Sequence, residues 1–412
     1  NQFAIRWEGV QSALIEAPLN TFDSFTGNLI GDEDCSKPLK PVIVYIHGGG
    51  YCLWSGSSKL HGADFMLDRD VVLVTFNYRL GFLNLDLEDA AGNMGLKDQT
   101  LLLQWVKEEI ENFGGDPNNV TISGNSAGGA SVTQHMVSPL SRGLFHKAIA
   151  QSGTLLCEWA FMKHHIDVSK KLGQYLGADP SISGQELLDY LRTVPAEKFA
   201  QFQNSIVPLQ SHVKGYHWAF APSIETVGSS RFLASDPYQL IIDGGMTDVP
   251  FMTGFNTHEG LFLLHRFTDD PFIIETLNSN FGVLFKDLAF PSKLATEEIS
   301  LLTSRTRTKY FGEETIEWPK HFDNIVKFYG DIMFNVPTIM MLHHLHRTQR
   351  QSPIYFYRFL VDTTIRTSHC GELPYLFNNS IPGADQNVEP NSLAEKTIVR
   401  MTTMWTNFAK SG

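Results

Sequence analysis

The chain has 412 residues, of which 42% are hydrophobic and 12% aromatic, so it can bury a large core and is not intrinsically disordered. Its formal net charge of -12 argues against nucleic acid and anionic membranes as partners, because both require a basic surface. Its longest apolar runs, such as 71–76, are too short to cross a bilayer, so we expect no membrane span.

The predicted elements alternate between short buried strands and helices. Strands are expected at 41–46, 70–76, 119–123, 147–151, 249–253 and 354–358. The helical spacing of apolar residues between Leu101 and Ile110 predicts a helix over 98–112, and residues 261–350 are expected to be largely helical. This pattern predicts an α/β fold, in which a mainly parallel sheet is covered by helices on both faces and carries a large helical insertion.

A candidate nucleophile lies at the end of the third predicted strand. Residues 124–128 read Gly-Asn-Ser-Ala-Gly, which fits G-x-S-x-G, and a helix is expected to follow. A serine on a tight strand-to-helix turn projects its hydroxyl above the sheet, and flanking glycines prevent clashes. A glycine-rich turn without a catalytic role is the alternative, but the preceding strand and the small residues that follow favour Ser126 as the nucleophile.

A second glycine run follows the first predicted strand. Residues 47–51 read His-Gly-Gly-Gly-Tyr, and such a loop can point several backbone N–H groups at one spot. Attack on an ester carbonyl creates a negatively charged oxygen that such donors stabilise. We predict an oxyanion hole formed by Gly49, Gly50 and Ala127. Three glycines could also serve only as a tight turn, and Ser126 farther along the chain favours the functional interpretation.

Several segments together resemble the type-B carboxylesterases and cholinesterases, and most closely the insect α-esterases. The segments are 47–51, Asn-Tyr-Arg at 77–79, Gly-Asn-Met-Gly-Leu-Lys-Asp-Gln at 92–99, and 113–129. The similarity extends over essentially the whole chain. It implies an α/β-hydrolase fold built as a single domain over 1–412, incomplete at both ends.

The resemblance also nominates the other two members of a catalytic triad. The family's acid lies in a Gly-x-x-x-x-Glu-Gly pattern, which here is 254–260 and nominates Glu259. The family's histidine begins a His-x-x-Glu/Asp-Leu-x-Tyr-Leu-Phe segment, which here is 369–377 and nominates His369. From the residues alone neither assignment is secure, because the chain has 15 histidines, and His258 is the main competitor. The order Ser, Glu, His is the one that the fold requires.

The expected reaction is hydrolysis of neutral carboxylic esters through an acyl-enzyme, and the expected partner is a small-molecule ester. The resemblance places an acyl pocket around Trp159, Trp218 and Phe220, although plain core packing is an equal alternative for each of them. Most family members have Glu before the nucleophile, whereas this chain has Asn125. The missing negative charge argues against cationic esters.

No metal or cofactor is expected. His343, His344 and His346 lie among apolar residues in a predicted helix without an acidic or cysteine partner at ligand spacing. The cysteines Cys35, Cys52, Cys157 and Cys370 show neither a dense disulfide framework nor metal-ligand spacing, which favours free thiols in a reducing compartment. We expect a cytoplasmic location or one at the periphery of intracellular membranes, with secretion as the alternative.

The chain departs from the family pattern before the first predicted strand. A strand expected after Cys35 is missing, and its loss would leave the edge of a neighbouring strand unpaired. The cysteine that usually bridges to the Cys35 position is also absent. A catalytically silent relative used for adhesion or ligand binding is therefore the alternative function. A true lipase is a third hypothesis.

Overall fold

The computed structural model describes residues 38–202, 212–214, 220–286, 294–348, 350–362, 366–378 and 388–412. The strands are β1 (Lys40–Ile46), β2 (Val72–Thr75), β3 (Asn84–Leu87), β4 (Ala90–Ala91), β5 (Gly115–Asn125), β6 (Lys147–Gln151), β7 (Phe251–Asn256) and β8 (Ile354–Phe359). Within these residues, six strands form one parallel sheet in the order β2-β1-β5-β6-β7-β8, and β3 pairs with β4 in an antiparallel hairpin.

Helices occupy much of the remaining described chain. They are α1 (Asp64–Leu67), α2 (Met94–Glu109), α3 (Ala127–Val137), α4 (His165–Tyr175), α5 (Gly184–Leu191), α6 (Ala196–Phe202), α7 (Pro237–Ile242), α8 (Leu264–Asp269), α9 (Pro271–Ser279), α10 (Thr296–Phe311), α11 (Phe322–Gly330), α12 (Val336–Arg347) and α13 (Leu393–Ser411). The predicted helical stretch over 261–350 corresponds to α8 through α12.

The central strands are buried on both faces of the sheet. Along β1, Val42 and Val44 pack into one hydrophobic cluster, whereas Ile43 and Tyr45 pack into a second. Side chains of a strand alternate between faces, so these clusters lie on opposite sides of the sheet. On the second side the sheet is covered by α13, whose Trp405 is almost fully buried there. The predicted parallel sheet with helices on both faces is confirmed.

Individual strand bounds follow the sequence predictions with one instructive difference. β6 has the predicted bounds, and β1, β5, β7 and β8 overlap theirs. β2 begins at Val72 rather than at residue 70, because Asp70 has a φ of 53°, which a strand does not accommodate. The β3–β4 hairpin was not predicted, since its strands are too short to show an alternating pattern.

Helix α2 begins four residues before the predicted start at Asp98. The carboxylate of Asp98 does not cap the helix, because it accepts hydrogen bonds from Arg79 Nε and Nη2 at 2.8 and 2.7 Å. The residue before the helix is Asn93, which has a left-handed backbone. Its side-chain amide is paired with the backbone of Ser223, at 2.8 and 3.0 Å. These contacts explain why the helix starts before the first residue of its apolar pattern.

A π-helical turn, Asp331–Asn335, joins α11 to α12. The resulting helical segment Phe322–Arg347 is long and apolar enough to cross a membrane by length and composition. Just over half of its most apolar window is buried inside the protein, and a helix packed into a core passes the same test.

The predicted loss of a strand after Cys35 lies outside the described residues. In the described part of the sheet, β2 is the strand at that edge and pairs with β1.

Candidate active site

Ser126 occupies a sharp turn between the end of β5 and the start of α3. Its backbone has φ 59° and ψ −121°, a conformation that residues with side chains rarely adopt and that costs on the order of 1–3 kcal/mol. Its N–H donates to the carbonyl of Gln151 at 2.8 Å, which attaches the turn to β6. Strain of this kind is typical of a residue whose side chain must be presented in a fixed direction.

The two glycines that flank this serine are required by close backbone contacts. A Cβ on Gly124 would lie 2.5 Å from the carbonyl carbon of Gly128. A Cβ on Gly128 would lie 1.9 Å from the carbonyl oxygen of Ile46. No side chain fits at either distance, so the pattern of residues 124–128 follows from the packing of α3 against β1 and β5.

The glycine loop after β1 lies beside Ser126, the predicted nucleophile. A Cβ on Gly48 would lie 3.1 Å from the Cβ of Ser126. Gly49 and Gly50 have φ of 100° and 60°, which turns the loop back over the end of the sheet. Among the described residues, no acceptor pairs with the N–H groups of Gly49, Gly50 or Ala127. The structure thus brings the three predicted oxyanion donors to the same end of the sheet as Ser126.

His47 at the start of that loop has a structural rather than an acid–base setting. Its ring stacks on Tyr78 with centroids 4.3 Å apart, and its Nδ1 lies 2.8 Å from the carbonyl oxygen of Gly48. Burial lowers the pKa of His47 to about 4. The ring is therefore neutral near pH 7 and holds the loop in shape.

His369 and Glu259 form a buried pair. His369 Nδ1 lies 2.6 Å from Glu259 Oε2, and the carboxylate is fully buried. The other oxygen, Oε1, accepts hydrogen bonds from Ser152 Oγ at 2.6 Å and from the backbone N–H of Asn256 at 2.7 Å. These donors fix the carboxylate, and the carboxylate fixes the orientation of the imidazole.

Two opposing effects set the pKa of His369. Burial lowers it, while the Cys370 sulfur and the Glu259 carboxylate raise it, and the pKa of His369 lies well above its ordinary value of 6.5. A ring in this environment accepts a proton readily. That property is required of a general base that must take a proton from a hydroxyl group.

Aromatic rings enclose the imidazole. Phe334 stacks on His369 with centroids 4.3 Å apart, and Phe262 lies at 5.2 Å. Phe334 belongs to the π-helical turn between α11 and α12. Neither ring was predicted. Phe334 lies in the apolar pattern of residues 322–347, which reads as a continuous helix. Ser152 was also missed, although its position directly after β6 is one where functional side chains collect.

Asn125, the residue before Ser126, connects the serine turn to the histidine loop. The side-chain oxygen of Asn125 accepts a hydrogen bond from Cys370 Sγ at 2.9 Å. Its amide nitrogen donates to Glu372 Oε1 at 2.9 Å. Residues adjacent to Ser126 and to His369 are therefore in direct contact. Asn125 is fully buried, and both of these hydrogen bonds direct its amide toward the histidine loop.

The predicted acyl-pocket residues have different positions. The Trp159 ring packs against Phe334 at 5.7 Å, and its indole N–H donates to the carbonyl of Met333 at 3.0 Å. Trp159 thus supports the aromatic ring that covers His369. Phe220 is buried in the larger hydrophobic cluster. Trp218 lies outside the described residues.

The competing histidines have other neighbours. His258 Nδ1 lies 4.0 Å from Asp362, and the ring of His344 packs edge-on against Tyr238 at 5.3 Å. In the described part of the chain, no group of three or more His, Cys, Asp or Glu side chains could hold a metal ion.

Comparison with known proteins gives consistent results. The model of the family described as "Carboxylesterase family" matches residues 28–412. Juvenile hormone esterase of Tribolium castaneum is 34% identical over 93% of this chain and 71% of its own length. Esterase FE4 of Myzus persicae is 31% identical over 98% of this chain and 76% of its own length. The chain spans 63% of venom carboxylesterase-6 of Apis mellifera, at 32% identity over 83% of the chain.

The fold also matches a solved structure. The crystal structure of juvenile hormone esterase from Manduca sexta, with OTFP covalently attached, has a TM-score of 0.79. The match covers 90% of this chain and 71% of that one, at 29% identity. On the evidence of the fold, the family model and these relatives, the chain belongs to the carboxylesterase family of α/β hydrolases and is a carboxylic ester hydrolase.

Proposed function

We propose that the protein hydrolyses neutral carboxylic esters with a triad of Ser126, His369 and Glu259 and through an acyl-enzyme intermediate. The observation that carries the proposal is the strained backbone of Ser126 beside the glycine loop, at the sheet edge that also holds the 2.6 Å pair of His369 and Glu259. A silent binding protein would need neither a strained serine nor a His–Glu pair whose carboxylate is fully buried.

In the first half-reaction, Ser126 Oγ attacks the ester carbonyl carbon while His369 takes the hydroxyl proton at Nε2. The hydrogen bond from Nδ1–H to Glu259 keeps Nε2 unprotonated and stabilises the imidazolium that forms. Glu259 itself does not take the proton. Collapse of the tetrahedral intermediate breaks the ester C–O bond, and His369 returns the proton to the departing alkoxide, which leaves as the alcohol.

In the second half-reaction, water attacks the acyl-enzyme with His369 again as the base. The carbonyl oxygen becomes negative in both half-reactions and is stabilised by the N–H groups of Gly49, Gly50 and Ala127. Removal of one such donor typically raises the barrier by about 2.7–4 kcal/mol. The acid product then leaves and Ser126 regains its proton.

The proposed substrate class follows from the surroundings of the base. The imidazole is flanked by Phe334 and Phe262, and Trp159 supports the first of these rings. Apolar walls favour apolar groups, and the neutral amide of Asn125 adds no charge that would attract a cationic ester. We therefore propose neutral esters of small or medium acyl groups.

The test is active-site labelling together with turnover. We expect the protein to react with a fluorophosphonate probe and to hydrolyse 1-naphthyl acetate, and Ser126→Ala to lose both, with kcat falling about a millionfold. Ser181→Ala, an exposed serine in a surface turn, is the matched control and should retain both.

Turnover by Ser126→Ala at the unmutated rate would disprove the assignment of the nucleophile. A folded, soluble and unmutated protein that neither labels nor turns over would instead support the silent binding protein.

A further inference from the structure

A second carboxyl group, Glu372, is fully buried three residues after His369. It accepts hydrogen bonds from three side-chain amides. Asn125 and Gln151 donate to Oε1 at 2.9 and 3.1 Å, and Asn256 donates to Oε2 at 2.5 Å. These amides are the last residues of the neighbouring strands β5, β6 and β7. We call the three amides the amide cradle.

The amide cradle also holds the residues on both sides of His369. Asn256 Nδ2 donates to the carbonyl of Ser368 at 3.0 Å, and Asn125 Oδ1 accepts from Cys370 Sγ at 2.9 Å. Cys370 has a φ of 66°, an unfavourable conformation for a residue with a side chain. Backbone strain of this kind persists where surrounding contacts over-determine it. Hydrogen bonds thus fix the loop that carries His369 at Ser368, at Cys370 and at Glu372.

The amide donors offset the unfavourable burial of a second carboxylate near Glu259. Glu259 lies near enough to raise the pKa of Glu372, in addition to the larger effect of burial. The other titratable groups that face Glu372 are His369 and Cys370 on its own loop, Tyr45 on β1 and Tyr357 on β8. In the described part of the chain, no Lys or Arg pairs with Glu372, so the amides, a backbone hydrogen bond and the charge of His369 stabilise its carboxylate.

We propose that the amide cradle sets the position of His369 relative to Ser126, with Asn125 and Glu372 as positioning residues. Asn125 is joined covalently to Ser126 and by hydrogen bonds to the histidine loop, so one side chain couples the nucleophile to the base. This inference deepens the proposed ester hydrolysis and rests on it. A misplacement of about 1 Å can lower a rate about 100-fold, so small changes in the cradle should be measurable.

The test is a double-mutant cycle with Asn125→Leu, Glu372→Gln and the double variant. Each single variant should lower kcat by up to about 100-fold with little change in KM. Because Asn125 acts through Glu372, the double variant should be little worse than the more damaged single variant. Losses that multiply would overturn the proposal.

The pH dependence supplies a readout that a purely structural role would not change. A carboxylate near His369 favours the imidazolium, so its removal in Glu372→Gln should move the acid limb of kcat/KM to lower pH by about one unit. An acid limb that stays in place while only the melting temperature falls would overturn the proposal. Asn84→Leu, which removes an equally buried amide bonded to Ser223 away from the site, is the control. It should lower the melting temperature without moving the acid limb.

Two further measurements keep the test decisive. If Asn125→Leu does not fold, Cys370→Ala removes one of the two hydrogen bonds between Asn125 and the histidine loop and should also lower kcat. If the unmutated protein shows no turnover, the proposed function fails, and the cradle is judged by NMR. The low-field Nδ1 proton of His369 should titrate at lower pH in Glu372→Gln, and an unchanged titration would overturn the cradle.

Discussion

His369 combines a hydrogen bond to Glu259 on one ring nitrogen with a ring face stacked on Phe334. The imidazole must be neutral to accept a proton, so activity falls as the pH drops through its pKa. Since that pKa lies above 6.5, we expect kcat/KM to fall to half of its maximum, as the pH is lowered, at a pH still above 6.5.

Replacement of the acid changes that profile in a defined direction. Glu259→Gln removes the carboxylate that raises the pKa of His369, so the acid limb should move to lower pH. The variant should also lose about 10⁴-fold in kcat, because the amide no longer selects the productive tautomer. Kinetics on 1-naphthyl acetate from pH 5 to pH 9 check both effects, and a limb that moves to higher pH would contradict the assigned role of Glu259.

At the residue scale, the sequence nominates Ser126 as a nucleophile more directly than it nominates Glu259 and His369 as its partners. Ser126 stands in a pattern whose glycines are explained by local packing. Glu259 and His369 are separated by 110 residues in the chain, and no local signal joins them, so only the family resemblance nominated them. The positions of Phe334 and of the amides that hold Glu372 depend on contacts between segments that are distant in the chain, which a single sequence does not reveal.

At the element scale, the contact between β1 and α3 determines how close the glycine loop lies to Ser126. The helix approaches so closely that a methyl group on Gly128 would reach within 1.9 Å of the carbonyl oxygen of Ile46. The two elements can accommodate a side chain only by moving apart.

Gly128→Ala should therefore lower the free energy of unfolding by about 1–3 kcal/mol and also reduce kcat, since the oxyanion donors shift. Gly184→Ala is the matched control, because a Cβ there meets no atom closer than 3.9 Å at the first position of α5. It should be neutral or stabilise the protein by about 0.4–1 kcal/mol. Urea unfolding monitored by tryptophan fluorescence measures both variants, and equal stabilities would refute the close contact.

Apolar runs predicted the strands of the sheet well, because buried parallel strands must be apolar on both faces. They could not predict where a single residue interrupts an element. The backbone conformation of Asp70 shortens β2. Asp98 does not begin α2, because its carboxylate accepts hydrogen bonds from Arg79. The π-helical turn at Asp331–Asn335 likewise leaves the helical apolar pattern unbroken.

At the scale of the whole molecule, burial controls the chemistry of the thiols. Cys52, Cys157 and Cys370 are free in the described residues, as expected. Burial raises the pKa of Cys52 and of Cys157 to about 12, and it also raises that of Cys370. At pH 8 a thiol of pKa 12 is ionised in about one molecule in 10,000, and only the thiolate reacts.

We therefore expect the folded protein to react very slowly with Ellman's reagent, and all three thiols to react rapidly in concentrated guanidinium chloride. The measurement is made on a Cys35→Ser background so that it reports on these three residues. Rapid labelling of the buried Cys157 or Cys370 in the folded protein, with activity retained, would show that the described core opens more readily than its packing implies.

The hydrogen bond from Asn125 to Glu372 joins residues that are 247 positions apart. A ribosome that adds about 5–20 residues per second needs roughly 12–50 s to pass from one to the other. For nearly all of that interval the nascent chain carries Ser126, the proposed nucleophile, but lacks His369, the proposed base. Under the proposed mechanism, a polypeptide interrupted between residues 126 and 369 therefore carries no ester-hydrolysing activity.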